Sequence, residues 1–188
     1  MKPLIRLRAV TLRPASGDDL ERLCDLLWQE DVRRYLCDDV VLPRATIAGM
    51  LARSDALDAQ SLGLWMIAGD VPEMAGVVGL QPASDAISAA MAGEPGQIEP
   101  VIALHPAAWG RGLGAAAIDA LAEHAWRQCR LPRLVAAVDE PNVRSHRLMT
   151  RCNFIVTGAT PGPRHRLRLY ERRLGEAGLA AAPDPTKI

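Results

Sequence analysis

Apolar positions along this chain follow two rhythms, one of period two and one near 3.6, and they alternate from segment to segment. Val10 to Arg13 alternates and predicts a first strand. Leu20, Leu23, Leu26 and Leu27 then share one helical face, with Ser16 or Asp18 as the cap. Pro43-Arg-Ala-Thr46 opens a second helix that reaches about Leu57. Leu62–Ala68 and Ala75–Leu80 are apolar runs of strand length, and Gly69-Asp70 and Pro72-Glu73 between them signal a hairpin. Ser84–Gly96 is a connection rich in small residues, longer than most inside a compact domain. Gln97–Leu104 predicts the next strand, and Leu113–Cys129 a long helix that stops before Pro132. Arg133–Val138 follows as a strand, Asn142–Cys152 as a helix, and Phe154–Val156 and Leu167–Leu174 close the sheet. Strands alternating with helices imply an α/β sheet with crossover connections, without an internal repeat. The pattern fits one domain over residues 1–174 and a flexible tail over 175–188.

Composition narrows the function classes. Among 188 residues, 22 Lys and Arg balance 22 Asp and Glu, so nothing points to a nucleic-acid partner. Arg164, Arg166, Arg168, Arg172 and Arg173 crowd one end, and acids gather between Asp18 and Asp39; both groups read as solvated faces. No apolar run approaches the roughly 18 residues of a membrane span, so no membrane role is expected. Cys24, Cys37, Cys129 and Cys152 are scattered and do not combine with His105, His124, His146 or His165 at ligand spacing. The expectation is no metal, no disulfide framework and a reducing cytoplasm.

The stretch His105-Pro-Ala-Ala-Trp-Gly-Arg-Gly-Leu-Gly-Ala115 carries the chemistry. Glycines between a strand and a helix let backbone N–H groups turn toward an anion at the helix N-terminus. A Walker loop is excluded, because no Gly-x4-Gly-Lys-Ser/Thr occurs. Gly112-Leu-Gly114-Ala-Ala-Ala117 fits the dinucleotide fingerprint, with Asp139 ending a later strand. That rival fails on two counts: His105–Trp109 separates strand from glycines, and too little chain follows for the remaining units.

With this loop the sequence resembles the GNAT superfamily of N-acetyltransferases, and most of all the branch of ribosomal-protein N-terminal acetyltransferases. Trp109-x-x-Gly112-x-Gly114 matches the family loop, and Asn142-Val-Arg-Ser145 through Asn153-Phe154 resembles the branch's Asn-x-x-Ser…Gly-Phe helix. Thr11–Leu20 and Asp31–Leu36 are similar to its first strand and helices. The resemblance implies a mixed, partly splayed sheet of six or seven strands flanked by helices. It implies acetyl-CoA as cosubstrate and direct attack by an amine acceptor in a ternary complex. It leaves room for a homodimer.

The same resemblance assigns roles. The loop Trp109, Gly110, Arg111, Gly112, Leu113, Gly114 and Ala115 would cradle the pyrophosphate, with a Cβ at Gly112 or Gly114 intruding on it. The amides of Ile102, Ala103 and Leu104 would pair with the pantetheine arm by strand addition. Glu99 stands where similar members place a carboxylate that takes the acceptor's proton, and the chemistry needs one. Its alternative is an ion-paired surface Glu. Pro100 cannot donate to a ladder, so the strand is irregular or unpaired there. Asn142 would bond the cofactor, cap its helix, or both. Ser145, three residues on, faces the same way and would serve the leaving sulfur. Met149 stands seven residues after Asn142, where many members have a Tyr that protonates the thiolate; Ser145 or water must substitute. Asn153 replaces the usual Gly and tolerates a left-handed helix end. His105, before Pro106, reads as structural, and the other histidines show no partner in the sequence. Asp31, Asp38 and Asp39 would attract a cationic acceptor if they face the cleft. The branch points to a protein or peptide N-terminus, with a small amine, polyamine or antibiotic as competitors. A cofactor-binding module without turnover is the alternative from another class.

Overall fold

A computed structural model describes residues 1–7, 10–68, 74–91 and 97–175. Eight strands lie among them: β1 Ile5–Leu7, β2 Val10–Pro14, β3 Gly63–Ala68, β4 Met74–Pro82, β5 Ile98–Leu104, β6 Arg133–Asp139, β7 Ile155–Pro161 and β8 Arg166–Arg173. They form two sheets, β1-β2-β3-β4-β5 and β6-β8-β7, with every described pairing antiparallel. The α-helices are α1 Leu20–Leu27, α2 Glu30–Leu36, α3 Arg44–Ala56, α4 Asp85–Ala90, α5 Leu113–Arg127 and α6 Val143–Arg151.

The predicted helices form for the predicted reasons. α1 buries Leu23, Cys24, Leu26 and Leu27 on one face. Its entry is fixed by Asp19, whose carboxylate accepts from the Ser16 N–H at 2.9 Å and from both Arg13 guanidinium nitrogens at 2.8 and 2.7 Å. That pairing holds the Asp19 carboxyl below its usual range. α5 buries Gly114, Ala117, Ala120, Ala122 and Ala125 beside Ile118 and Leu121, so the helix approaches the strands closely. One apolar cluster joins α5 to Leu12, Trp65, Val78 and Ile98 of the first sheet and to Leu134, Ala136 and Val138 of the second. A second cluster packs α1 and α3 on the opposite face, against Leu64, Met66, Val77 and Ala103. β5 and β6 lie edge beside edge, joined through α5, and exchange no ladder bonds.

Three departures from the sequence reading have physical causes. The chain gains a strand before the expected first one, β1, which pairs Ile5 with Leu12; a segment this short carries no measurable period. The Ser84–Gly96 connection contains α4, capped by the Ser84 hydroxyl accepting from the Ile87 N–H at 3.3 Å. α4 buries Ile87, and Met91 beyond its end is buried in the same small cluster with Val135 and Leu169. With one such anchor in its span, α4 has too few apolar residues to show a helical face. The sheet is also longer and more divided than six or seven strands. The hairpin turn at 69–73 and the tail from 176 onward lie outside the described residues, as do 92–96. Asn153 takes the left-handed conformation expected of it, φ 58°.

β5 is held in place by β4, and Gly76 on β4 is where that contact is tightest. A Cβ there would fall inside contact distance of the Ala103 carbonyl oxygen and meet Leu104 at 2.9 Å. Gly76→Ala is therefore expected to lower the urea midpoint, costing about 1–3 kcal/mol of stability through overpacking. An unchanged midpoint would show that the ladder yields without cost.

Candidate active site

The unpaired edge of β5 is the first component. Just before β5 the Ala83 N–H donates to the Gln97 carbonyl at 2.8 Å, and just after it the His105 N–H donates to Ala75 at 2.9 Å. Ladder bonds alternate along an antiparallel strand, so Glu99, Val101 and Ala103, opposite Gln81, Gly79 and Val77, turn their backbone groups toward β4. Ile98, Pro100, Ile102 and Leu104 turn theirs to the gap beside β6. Pro100 has no N–H to offer there. Of the three amides expected to take a pantetheine arm, those of Ile102 and Leu104 face the gap, whereas that of Ala103 faces β4. The Leu104 carbonyl is already taken by the Trp109 indole N–H at 3.0 Å, which closes that end of the edge.

The second component is the loop that follows. His105 starts a short 3-10 turn, Pro106–Ala108, with its Nδ1 accepting from the Ala107 N–H at 3.2 Å. Gly110 and Gly112 both adopt φ +77°, which non-glycine residues rarely do. The first backbone bond into α5 runs from the Ala116 N–H to Gly112. The amides of Gly110 through Ala115 thus have no partner among the described residues. Converging amides at the start of a 15-residue helix make an anion-binding end. The Arg144 guanidinium stacks 4.2 Å over the Trp109 ring and ties this loop to α6. A surface arginine gives no sequence signal for such a contact.

Gly114 departs from expectation. Its missing Cβ would meet Leu104, Leu148 and Ile102 side chains at 3.3, 3.5 and 3.7 Å. Its smallness serves the packing of α5 on β5, where a Cβ would press against these three side chains. Gly112 faces open space.

The third component lies on the sheet face opposite α5. Glu99 shares that face with Val101 and Ala103, which pack toward α1 and α3. It is half-buried, and the Gln81 side-chain N–H donates to its Oε1 at 3.0 Å. Burial pushes the Glu99 carboxyl up, and the Gln81 hydrogen bond pulls it partly back. An ion-paired surface Glu is not what is found: no cation lies within salt-bridge distance among the described residues.

α6 supplies the fourth component. The Asn142 side-chain oxygen accepts from the Ser145 N–H at 3.1 Å, so Asn142 is a helix cap. The Ser145 hydroxyl makes no hydrogen bond among the described residues. Met149 is buried in the main core, away from solvent. A Tyr at this position would have to displace core packing before it reached a leaving group. His146, which shows no partner in the sequence, is held at both ends. Its Nε2–H donates to the Glu140 carbonyl at 3.0 Å, and in the neutral ring Nδ1 accepts from the buried Tyr170 hydroxyl at 2.7 Å. This clasp fixes the start of α6 to β8. His124 likewise bonds the Ser61 carbonyl at 2.8 Å, and burial lowers its pKa.

A wall closes one side. Past α2, Asp39 pairs with Arg33 at 3.4 Å and with Arg164 of the β7–β8 turn at 3.8 Å. Arg164 also donates to the Arg34 carbonyl at 3.4 Å. The Tyr35 hydroxyl donates to Pro141 at 3.5 Å, and its ring lies 6.3 Å from that of His165. Asp31 and Asp38 are exposed. No group of three metal-ligating side chains forms among the described residues, and no helix there is long and apolar enough to cross a membrane.

Comparison with known proteins agrees with this geometry. The model of the acetyltransferase (GNAT) domain matches residues 9–155. None of the curated protein sequences matches the chain. Similar solved structures include a protein of Bordetella pertussis assigned to the GnaT acetyltransferase family, 24% identical, with TM-score 0.77, covering 91% of this chain and 99% of its own. RimL, a ribosomal L7/L12 α-N-protein acetyltransferase in complex with coenzyme A, is 19% identical with TM-score 0.74, over 92% and 98%. The aminoglycoside acetyltransferase AAC(6')-Ib, with ribostamycin and coenzyme A, is 16% identical with TM-score 0.75, over 95% and 99%.

The two loop glycines should separate in a stability measurement. Gly114→Val is expected to lose about 1–3 kcal/mol through overpacking. Gly112→Ala is expected to cost about 1 kcal/mol, from left-handed backbone alone. Equal losses in urea titration would remove the distinction.

Proposed function

This chain belongs to the GNAT acetyltransferase family, and on that premise we propose that it transfers the acetyl group of acetyl-CoA to a primary amine, with Glu99 as the base. The observation that carries the reading is the β5 edge. Two free amides, of Ile102 and Leu104, lead along an unpaired strand edge to the free amides of Gly110–Ala115. An extended, amide-bearing arm ending in a pyrophosphate is the ligand such a row fits. The residues present suit it: open space at Gly112, and Arg144 as a nearby cation.

The chemistry then follows from the groups around the gap. An acceptor reaches the site as an ammonium and must lose a proton before its nitrogen lone pair attacks the thioester carbon. Glu99, half-buried and raised in pKa by burial, is the carboxylate on the acceptor face that takes this proton. An N–H of the β5 edge stabilises the oxyanion as the carbonyl opens. When the carbon–sulfur bond breaks, the thiolate takes a proton from the Ser145 hydroxyl, itself resupplied by water, or from water directly. A thiol of pKa about 8.5 leaves tolerably near neutrality, so the absence of a Tyr at position 149 is not fatal. Asn142 acts through its cap: it holds the first turn of α6, and so Ser145, beside the gap.

For the acceptor we favour a peptide or protein α-amino group, on the resemblance of the Asn142–Phe154 block to the N-terminal acetyltransferase branch. RimL acts on a ribosomal protein and AAC(6')-Ib on aminoglycosides, and both acceptors present amines. Mass spectrometry of N-terminal peptides from cells with and without the gene decides between them. If no N-terminus changes while a small amine is acetylated in vitro, the peptide acceptor is wrong and amine transfer stands.

Thiol release with an amine panel separates an enzyme from a binding module. Glu99→Gln is expected to lower kcat by about a hundredfold or more, with coenzyme A affinity retained. Wild-type activity depends on ionised Glu99, so kcat/KM should rise with pH through its raised pKa and then level. Gln81→Leu removes a hydrogen bond to the charged form, so the rising limb should move to higher pH. A limb that stays in place would sever Gln81 from the base. Calorimetry supplies the cofactor test: Gly112→Ala should weaken coenzyme A about tenfold, and unchanged affinity would remove the loop from the site.

A further inference from the structure

One carboxylate has no role in the chemistry above and no side-chain hydrogen bond or ion pair among the described residues. Asp139 ends β6, and only 9% of it is exposed. Val135 and Ala137, four and two residues earlier, belong to the cluster that packs α4, on the face opposite the main core. Strand alternation puts Asp139 on that same face, beyond the cluster's end. Its neighbours there are His165, Asp38 and Arg164, set in the wall made by α2, the β7–β8 turn and Pro141. None of them bonds it. Arg164 is engaged with Asp39 and the Arg34 carbonyl, His165 lies outside ion-pair distance, and Asp38 carries the same charge. Apart from its own backbone N–H, no group among the described residues donates to the Asp139 side chain. Its main chain is satisfied, with the carbonyl accepting from the Asn142 N–H at 2.8 Å.

A buried carboxylate without a counter-ion is costly, and folded proteins pair such groups or neutralise them. Burial does push the Asp139 carboxyl up. A carboxylate kept unpaired at the mouth of a binding gap is completed by whatever enters. Asp139 and Glu99 lie on the same face of the two sheets, one on each strand flanking the gap, Glu99 near the start of β5 and Asp139 at the end of β6. Glu99 is committed to the proton of the reacting amine.

We propose that Asp139 binds a second cationic group of the acceptor, so that the preferred substrate is an amine carrying another positive charge besides the nitrogen that is acetylated. This rests on the amine-transfer reading above and deepens it. A diamine satisfies the requirement, and so does a peptide with a basic residue next to its N-terminus.

The test uses the full chain saturated with coenzyme A and two probe pairs differing by one charge: 1,4-diaminobutane against 1-aminobutane, and glycyl-lysine amide against glycyl-norleucine amide. Calorimetry should find at least one dication bound ten times more tightly than its monocationic partner. In Asp139→Asn that preference should shrink to within twofold. Thermal unfolding supplies an independent readout: without ligand at pH 7.5, Asp139→Asn should melt a few degrees higher than the wild type, since it removes an uncompensated buried charge. A preference absent from the wild type, no binding by any of the four probes, a preference surviving in Asp139→Asn, or a variant that melts lower each overturns the proposal. Dication binding that depends on Asp139 but yields no thiol from acetyl-CoA would instead overturn the transfer reading and leave this one standing.

Discussion

β5 and β6 run beside each other and exchange no ladder hydrogen bonds, and the rest of the molecule is arranged around that missing ladder. Two strand edges left open are normally a liability, because each presents unpaired donors and acceptors. Here Pro100 deletes one donor, Trp109 occupies the Leu104 carbonyl, and α5 packs across the back of both sheets. What stays open is a short stretch with the Ile102 and Leu104 amides pointing into it. The alternation of ladder bonds on the β4 side decides which amides these are, so β4, through the tight contact at Gly76, sets the polarity of an edge it does not touch.

The face that carries Glu99 and Asp139 is governed by burial. Glu99 and Asp139 flank the gap, and desolvation raises both. Their surroundings differ in one respect: Glu99 has the Gln81 amide to stabilise its charge, and Asp139 has no side-chain donor among the described residues. In the transfer we propose, the carboxylate that must ionise to accept a proton has a hydrogen bond to its ionised form, and the one we propose to receive a cation has none from a side chain. The Arg164–Asp39 pair, half exposed, contributes little to stability but removes the nearest arginine from Asp139.

Several features were readable from residues close together in the chain. The glycines at 110 and 112 needed left-handed backbone, and the strand before them and helix after them had clear periods. Asn142 was expected to cap α6 and Asn153 to end it, and both do. Each depends on a handful of neighbours, so local sequence suffices. α4 and β1 escaped because each is short and owes its existence to partners elsewhere: Val135 and Leu169 for α4, Leu12 for β1.

The sequence by itself determined the order of the longer elements, the place of the glycine-rich loop and the presence of a carboxylate one strand-length before it. Tertiary structure decided the rest. It turned Ala103's amide away from the gap and gave Gly114 to packing. It also buried Met149, clasped His146 between Tyr170 and Glu140, and left Asp139 enclosed without a side-chain partner among the described residues. The physical reason is one of range. Backbone conformation at a glycine or a cap is set within a few residues. The direction of an amide along an edge, and the burial of a charge, are set by register and packing between segments many tens of residues apart.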